Sequence, residues 1–283
     1  FIKTGALNIL IANPRDFDGF AKTLSRYQFS AIIGVNTLFN ALVHNVNFRK
    51  LDFSKVRFVM AGGMALQHAV AQKWQQLTGV NIVEAYGLTE TSPAAVVNPV
   101  YSRRYNGSIG LPLPSTNVKL IDDEGKEVAL GSPGELCVQG PQVMQSYWNL
   151  PDETANVLDD EGWLKTGDVA RMDERGFLYI IDRKKDMVVV SGFNVYPNEV
   201  EAILSEHPDI AEVAVVGVPY EKTGEALKAY IVTEKHRTLL PKDLIAFCRH
   251  HLTGYKVPKQ YQFCGALPKS NVGKILRREL RDN

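Results

Sequence analysis

Four short segments of the chain carry residue types that could handle a phosphate, a sugar or a metal ion. The first is Tyr86-Gly87-Leu88-Thr89-Glu90, directly after an apolar strand-like run. Open α/β sheets bind ligands at the carboxyl ends of their parallel strands. There an aromatic ring can stack on a base, a threonine hydroxyl can donate to a phosphate oxygen, and a glutamate can hold Mg2+ through a hard oxygen. The second is Trp163-Leu164-Lys165-Thr166-Gly167-Asp168, read as a Gly-Asp turn whose carboxylate can accept from both ribose hydroxyls. The third is Asp182-Arg183-Lys184-Lys185-Asp186, followed by Val190-Ser191-Gly192-Phe193-Asn194. Lys185 could absorb a backbone rotation that swings whatever follows it, and Gly192 would let a backbone approach a narrow ligand channel. The fourth, Leu267-Pro268-Lys269-Ser270-Asn271-Val272-Gly273-Lys274, offers Lys274 as a cation for an acyl phosphate. Each segment alone also has a plain reading: a strand end, a β-turn, a solvated loop, a surface lysine.

The elements that must position these residues fall into three patterns. Apolar runs at 8–11, 31–35, 56–60 and 81–85 read as strands, and helical spacing marks 17–27 and 65–77, with another helix after 35. Strand–helix alternation of this kind predicts a largely parallel sheet covered by helices. From Ser108 to Ile181 the chain turns rich in Gly, Pro and short strands, with a hairpin signal at Asp122-Asp123-Glu124-Gly125. Beyond Asp186 the pattern is strand 187–190, helix 197–206, strands 212–218 and 226–233, helix 241–252 and a basic tail. The expected class is therefore α/β: residues 1–100 as a partial parallel β/α subdomain, 101–184 as a small β-rich subdomain, and 185–283 as a mobile α+β domain after a hinge.

Composition excludes several function classes. The chain has 283 residues, 45% hydrophobic and 22% charged, an ordinary globular balance with room for more than one domain. A net charge of +1 gives no basic field for nucleic acid. No apolar run approaches the roughly 18 residues needed to span a bilayer. Cys137, Cys248 and Cys264 form no CxxC pair, so neither a disulfide framework nor a metal cluster is expected, and a reducing compartment fits. His250 and His251 are adjacent and point about 100° apart on a helix, a poor joint ligand pair. The chain opens on Phe1, so upstream sequence is expected.

Taken in this order, with Gly62-Gly63 upstream and Gly134-Glu135-Leu136 between, the four segments resemble the adenylate-forming superfamily. The stretch GWLKTGDVARMDERGFLYIIDRKKDMVVVSGFNVYPNEVE, from Gly162 to Glu201, is similar to the signature of AMP-forming fatty acyl-CoA synthetases. The phrases NPRDF, GVNTLFNAL, LTGYKVPK and LPKSNVGKILRREL resemble bacterial long-chain fatty acid–CoA ligases in particular.

The resemblance implies a two-step reaction: a fatty acid carboxylate attacks the α-phosphate of ATP, then the thiol of CoA attacks the acyl-AMP after a domain rotation. It implies a nucleotide site containing Tyr86 and Gly87, with Tyr86 stacked on adenine and Glu84 and the Gly62-Gly63-Met64 backbone along its edges. Thr89 would touch the α-phosphate, Glu90 would hold Mg2+, and Asp168 and Arg183 would bind the ribose. Lys185 matches the hinge and Lys274 the lysine that assists adenylation, so Thr89, Glu90 and Lys274 are the expected catalytic residues. The Ser191-Gly192-Phe193 loop would line the pantetheine channel, and residues 35–42 would border the acyl pocket. The family's Ser/Thr/Gly-rich phosphate loop has no counterpart in the chain, so a C-terminal fragment, inactive alone, is expected.

Three alternatives accompany this expectation: an aryl- or medium-chain acyl-CoA ligase, an adenylation domain that loads a carrier protein, and a non-catalytic nucleotide-binding module. The expected ligands are ATP/AMP, Mg2+ and coenzyme A, and the expected partners are fatty acid and CoA, without nucleic acid. A cytoplasmic location is expected, with peripheral contact with the inner membrane and a homodimer both compatible with it.

Overall fold

Residues 1–234, 237, 239–270 and 273–281 are described in the computed structural model. The chain begins with α1 (Phe17–Leu24), β1 (Ala31–Gly34), α2 (Asn36–His44), β2 (Phe58–Ala61), α3 (His68–Thr78) and β3 (Val83–Tyr86). β4 (Val96–Val97) and β5 (Leu111–Pro112) follow, and the first sheet has the order β1-β2-β3-β4-β5. β1, β2 and β3 run parallel, and β4 and β5 add antiparallel. The three parallel strands therefore end on one side, at Gly34, Ala61 and Tyr86. Local chemistry fixes the helices: Asp16 caps α1 by accepting the Gly19 N–H at 2.9 Å, and Gly79 ends α3 at a φ of 73°. Their apolar faces meet in a core where Phe39 packs edge-on to Trp74 with ring centres 4.8 Å apart.

Next come β6 (Asn117–Ile121), β7 (Gly134–Gln139), α4 (Pro151–Val157), β8 (Leu164–Met172) and β9 (Leu178–Arg183). The four strands make an antiparallel sheet in chain order. Its core takes in Tyr86, Ala95 and Val96 from the end of the first sheet, so the two sheets pack as neighbours. The last sheet is built from β10 (Val188–Val190), β11 (Phe193–Val195), α5 (Pro197–Ser205), β12 (Ile210–Tyr220), β13 (Gly224–Thr233), α6 (Pro241–His251) and β14 (Gln260–Phe263), with α7 (Arg277–Arg281) at the end. Its strand order is β11-β10-β13-β12, with β14 parallel to β13. Helices α4, α5 and α6 all open on proline, whose fixed φ suits a first helical position.

The mixed α/β class agrees with the sequence. Three particulars differ. Residues 8–11 form no strand: Leu10 is 91% exposed, Ile11 packs on the first core, and no neighbouring chain segment offers a ladder. β5 lies within 101–184 yet hydrogen-bonds to β4, so that stretch lends a strand to the first sheet. β11 and β14 are extra strands, each only three or four residues long. Among the described residues no helix is long and apolar enough to cross a membrane.

Candidate active site

The carboxyl ends of the parallel strands form the floor of the site. β3 delivers Glu84 and Tyr86 on the same side, because alternate strand residues share a face. Glu84 is 8% exposed; its Oε1 accepts the Leu66 N–H at 3.3 Å, while Oε2 is buried without a partner. Burial, only partly offset by that amide, pushes the Glu84 carboxyl up to about 8. Gly62 continues β2, donates its N–H to the Gly34 carbonyl at 3.1 Å and passes close to the Ala85 carbonyl. Gly63 takes a φ of +79°, and Met64 follows it half-buried. Gly87 is required by packing, since a side chain there would begin 1.7 Å from the Pro93 carbonyl oxygen.

The Tyr86 hydroxyl donates to Asp168 Oδ2 at 2.7 Å, joining the first sheet to the second. Burial and then the Asp168 carboxylate hold the Tyr86 phenol well above its usual range. The other Asp168 oxygen, Oδ1, lies 3.1 Å from Arg183 Nε. This pairing follows from the ladder, where Asp168 on β8 stands directly opposite Arg183 on β9. Thr166-Gly167-Asp168 is thus no free turn. It lies within β8 at a register shift of the β7–β8 pair, where Gly167 takes a φ of +71° and Asp168 turns inward to 4% exposure.

Thr89 and Glu90 stand on the 3₁₀ turn Thr89–Thr91 that follows β3. The Thr91 hydroxyl, fully buried, accepts the Leu88 N–H at 2.8 Å and pins this turn. Thr89 is exposed and Glu90 half-buried. Glu90 Oε1 accepts the Tyr147 hydroxyl at 2.8 Å. Tyr147 lies 57 residues away and carries no sequence signal for this contact. Among the described residues no group of three or more His, Cys, Asp or Glu converges as a metal cluster. Glu90 instead offers one hard carboxylate, one oxygen of which takes the Tyr147 hydroxyl, a donor type that suits Mg2+.

Lys274 arrives from the far end of the chain on a hairpin. Ser270 N–H donates to the Lys274 carbonyl at 2.8 Å, Leu276 N–H to the Pro268 carbonyl at 2.9 Å, and Lys274 N–H to Ser270 Oγ at 3.1 Å. Asn271 and Val272 lie outside the described residues. Loss of solvent and then the Arg183 cation lower the Lys274 pKa, with Asp168 pulling the other way. Lys274 therefore shares one electrostatic neighbourhood with the Asp168–Arg183 pair, 91 residues or more away in sequence (274 − 183 = 91). A groove of about 390 Å³ beside the pair is lined by Thr166, Gly167, Arg183, Lys184 and Lys185.

Lys185 is exposed on the 3₁₀ turn Lys184–Asp186 between β9 and β10. The flanking acids are buried. Asp182 accepts the Arg183 and Asn198 N–H groups at 2.8 Å each, and burial raises its carboxyl to about 6. Arg277 bonds Glu201 at 2.7 Å and lies 3.5 Å from Asp186, which Arg281 meets at 2.6 Å. Arg277 and Arg281 of the basic tail are therefore held in an ion-pair network beside the Lys185 turn. Gly192 does not join the Tyr86–Asp168–Arg183–Lys274 group. Ser191 and Gly192, with φ of 52° and 82°, form the two-residue loop of the β10–β11 hairpin, and no atom lies within 4 Å of a side chain built at Gly192. In the 35–42 stretch, Phe39 and Leu42 are fully buried in the first core.

Residues 1–148 match the family model for the AMP-binding enzyme, and residues 199–274 match the model for the AMP-binding enzyme C-terminal domain. The chain belongs to the AMP-binding enzyme family. It is 59% identical over 282 residues to a long-chain-fatty-acid–CoA ligase of Yersinia pestis, covering 100% of this chain and 50% of that protein. The chain thus spans about half the length of the curated relatives it matches. Its fold superposes on the anthranilate CoA ligase AuaEII in complex with anthranoyl-AMP with a TM-score of 0.91 at 30% identity, over 98% of this chain and 54% of that one. ATP-bound MatB from Rhodopseudomonas palustris gives a TM-score of 0.87 at 31% identity, over 94% of this chain and 53% of that one.

Proposed function

We propose that the whole protein to which this chain belongs converts long-chain fatty acids to acyl-CoA, using ATP and releasing AMP and pyrophosphate through an acyl-adenylate. The observation that carries this reading is the convergence of Tyr86, Asp168, Arg183 and Lys274, drawn from two sheets and the terminal hairpin. A carboxylate is a poor electrophile, and joining it to AMP supplies a good leaving group. In the first step Tyr86 stacks on adenine with Glu84 and Gly62-Gly63-Met64 along its edges, and Gly87 keeps the backbone close. Asp168 and Arg183 bind the ribose hydroxyls, and the guanidinium, 3.1 Å from Asp168 Oδ1, keeps that carboxylate in place. Thr89 donates to the α-phosphate, and Lys274 steadies negative charge where the acyl oxygen meets phosphorus. Glu90 would hold Mg2+, which neutralises phosphate charge when bound. In the second step rotation about Lys185 withdraws Lys274 and brings the Gly192 loop to a thiol channel for CoA.

The test is acyl-CoA formation by the whole protein from ATP, CoA and a panel of acids, with Lys274→Ala alongside. Long-chain acyl-CoA is expected, with the variant slowed at acyl-adenylate formation by about 100-fold. Absence of ATP- and CoA-dependent product with every acid would sink the proposal. Activation of aromatic acids is the second reading, favoured by the likeness to the anthranilate CoA ligase; the same panel separates the two. Because long-chain acids partition into bilayers, peripheral contact with the inner leaflet belongs to the proposal, and a salt wash of membranes that releases no protein would count against it. A homodimer is likewise proposed, with a monomer in sedimentation analysis as the opposing result.

A further inference from the structure

The hairpin that carries Lys274 is held from outside its own sheet. Thr37, in the first turn of α2, donates its hydroxyl to the Gly273 carbonyl at 3.0 Å. Arg15, just ahead of α1, donates from Nη2 to the Ser270 carbonyl. Both carbonyls belong to the hairpin backbone within four residues of Lys274. Gly273 sits at a φ of +83°, and a side chain built there would begin 2.9 Å from Thr37 Oγ1. The backbone immediately before Lys274 is therefore pressed against α2 with no slack. Asn40, one turn further along α2, adds a long contact at 3.4 Å to the Ala211 carbonyl.

We propose that Arg15 and Thr37 are positioning residues for Lys274: they clamp its hairpin for acyl-adenylate formation and release it for thioester formation. The inference rests on the function proposed above. A lysine ammonium rides on a flexible four-carbon stem, so its placement depends on how firmly its backbone is anchored. The hydrogen bonds within the hairpin move with the last sheet and cannot supply that anchor. Arg15 and Thr37 belong to the first β/α unit, which also carries Tyr86, so they fix Lys274 relative to the nucleotide. Neither touches the Tyr86–Asp168–Arg183 group. Because the acceptors are backbone carbonyls, side-chain changes on the hairpin would not reveal the contact. Bonds made in one arrangement and broken in the other bias the equilibrium between them.

The whole protein separates the two half-reactions: pyrophosphate release from ATP and fatty acid, and acyl-CoA formation from supplied acyl-AMP and CoA. Thr37→Val, nearly isosteric but unable to donate, is expected to slow the first about three- to tenfold, the worth of one hydrogen bond. For Arg15→Met, at a residue outside the 35–42 stretch expected to border the acyl pocket, the second should be unchanged or faster, because the arrangement that opposes it has been weakened. Thr37→Ser should restore the first rate, and Arg15→Met should slow it as Thr37→Val does. Equal loss in both half-reactions for Arg15→Met, no loss in either, or failure of Thr37→Ser to rescue would overturn the inference. Lys274→Ala is the control that separates the two proposals. If it selectively lowers pyrophosphate release while Thr37→Val does not, the positioning role fails and the ligase reading stands. If the unaltered protein releases no pyrophosphate with any acid, the ligase reading itself has failed.

Discussion

Replacing Glu84 by Gln tests the electrostatics of the nucleotide floor without changing its shape. Glu84 is buried, one of its oxygens accepts a single amide, and the other has no partner. Its carboxyl is pushed from 4.5 to about 8 by burial. In the unfolded chain it ionises near 4.5, whereas in the folded chain it stays protonated until about 8. Between those values the folded state binds the extra proton, so stability falls as pH rises and levels off above the upper one. The gap, about 8 less 4.5, corresponds to a penalty on the order of 5 kcal/mol at about 1.4 kcal/mol per pH unit. That figure is an upper bound, because water entering the site would relieve it. Glu84→Gln keeps the acceptor for Leu66 and cannot ionise, so it should match the parent near pH 5 and exceed it by about 2–4 kcal/mol above pH 8. Hydrogen exchange of the β2 and β3 amides in the whole protein, followed from pH 5 to 9, reads the opening free energy of this sheet directly. Parallel pH dependence in parent and variant, or a parent that gains stability with pH, would refute the argument.

Tyr86→Phe removes the 2.7 Å bond to Asp168 but leaves the ring; the KM for ATP should rise a few-fold with little change in adenine stacking, as steady-state kinetics would register. Arg277→Met strands Glu201 and weakens the support of Asp182 and Asp186. Urea melts should show a loss of about 3–5 kcal/mol. That loss should be larger at pH 8 than at pH 5, because burial already raises the Glu201 and Asp182 carboxyls, and without Arg277 ionising them at high pH costs more. Gly87→Ala forces backbone apart at the Pro93 carbonyl and should cost more stability than Gly192→Ala, which meets open space and loses only about 1 kcal/mol to its positive φ. Thermal melts of the two variants side by side make the comparison.

The four chemical segments are legible in the sequence because each depends on near neighbours in the chain. Tyr86-Gly87 ends a short apolar strand, and Pro197 and Pro241 open helices through their own fixed φ. These are local consequences of side-chain size, φ and hydrogen-bonding capacity, so residue type and spacing determine them. Strand 8–11 fails for the complementary reason. Its residue pattern is adequate, but a strand exists only against a partner, and pattern says nothing of partners. The Thr166-Gly167-Asp168 segment was legible as a place where a carboxylate is offered, but not as a bulge that turns Asp168 inward against Arg183. Tertiary structure alone decided that Tyr147 meets Glu90, that Arg277 meets Glu201, and that Thr37 meets the backbone before Lys274. Such contacts join residues tens to hundreds of positions apart, and each partner taken alone is an ordinary surface or helix residue. The sequence by itself determined which groups could do chemistry. Only the packing of three sheets, which closes long loops to bury apolar surface, determined which of those groups stand together.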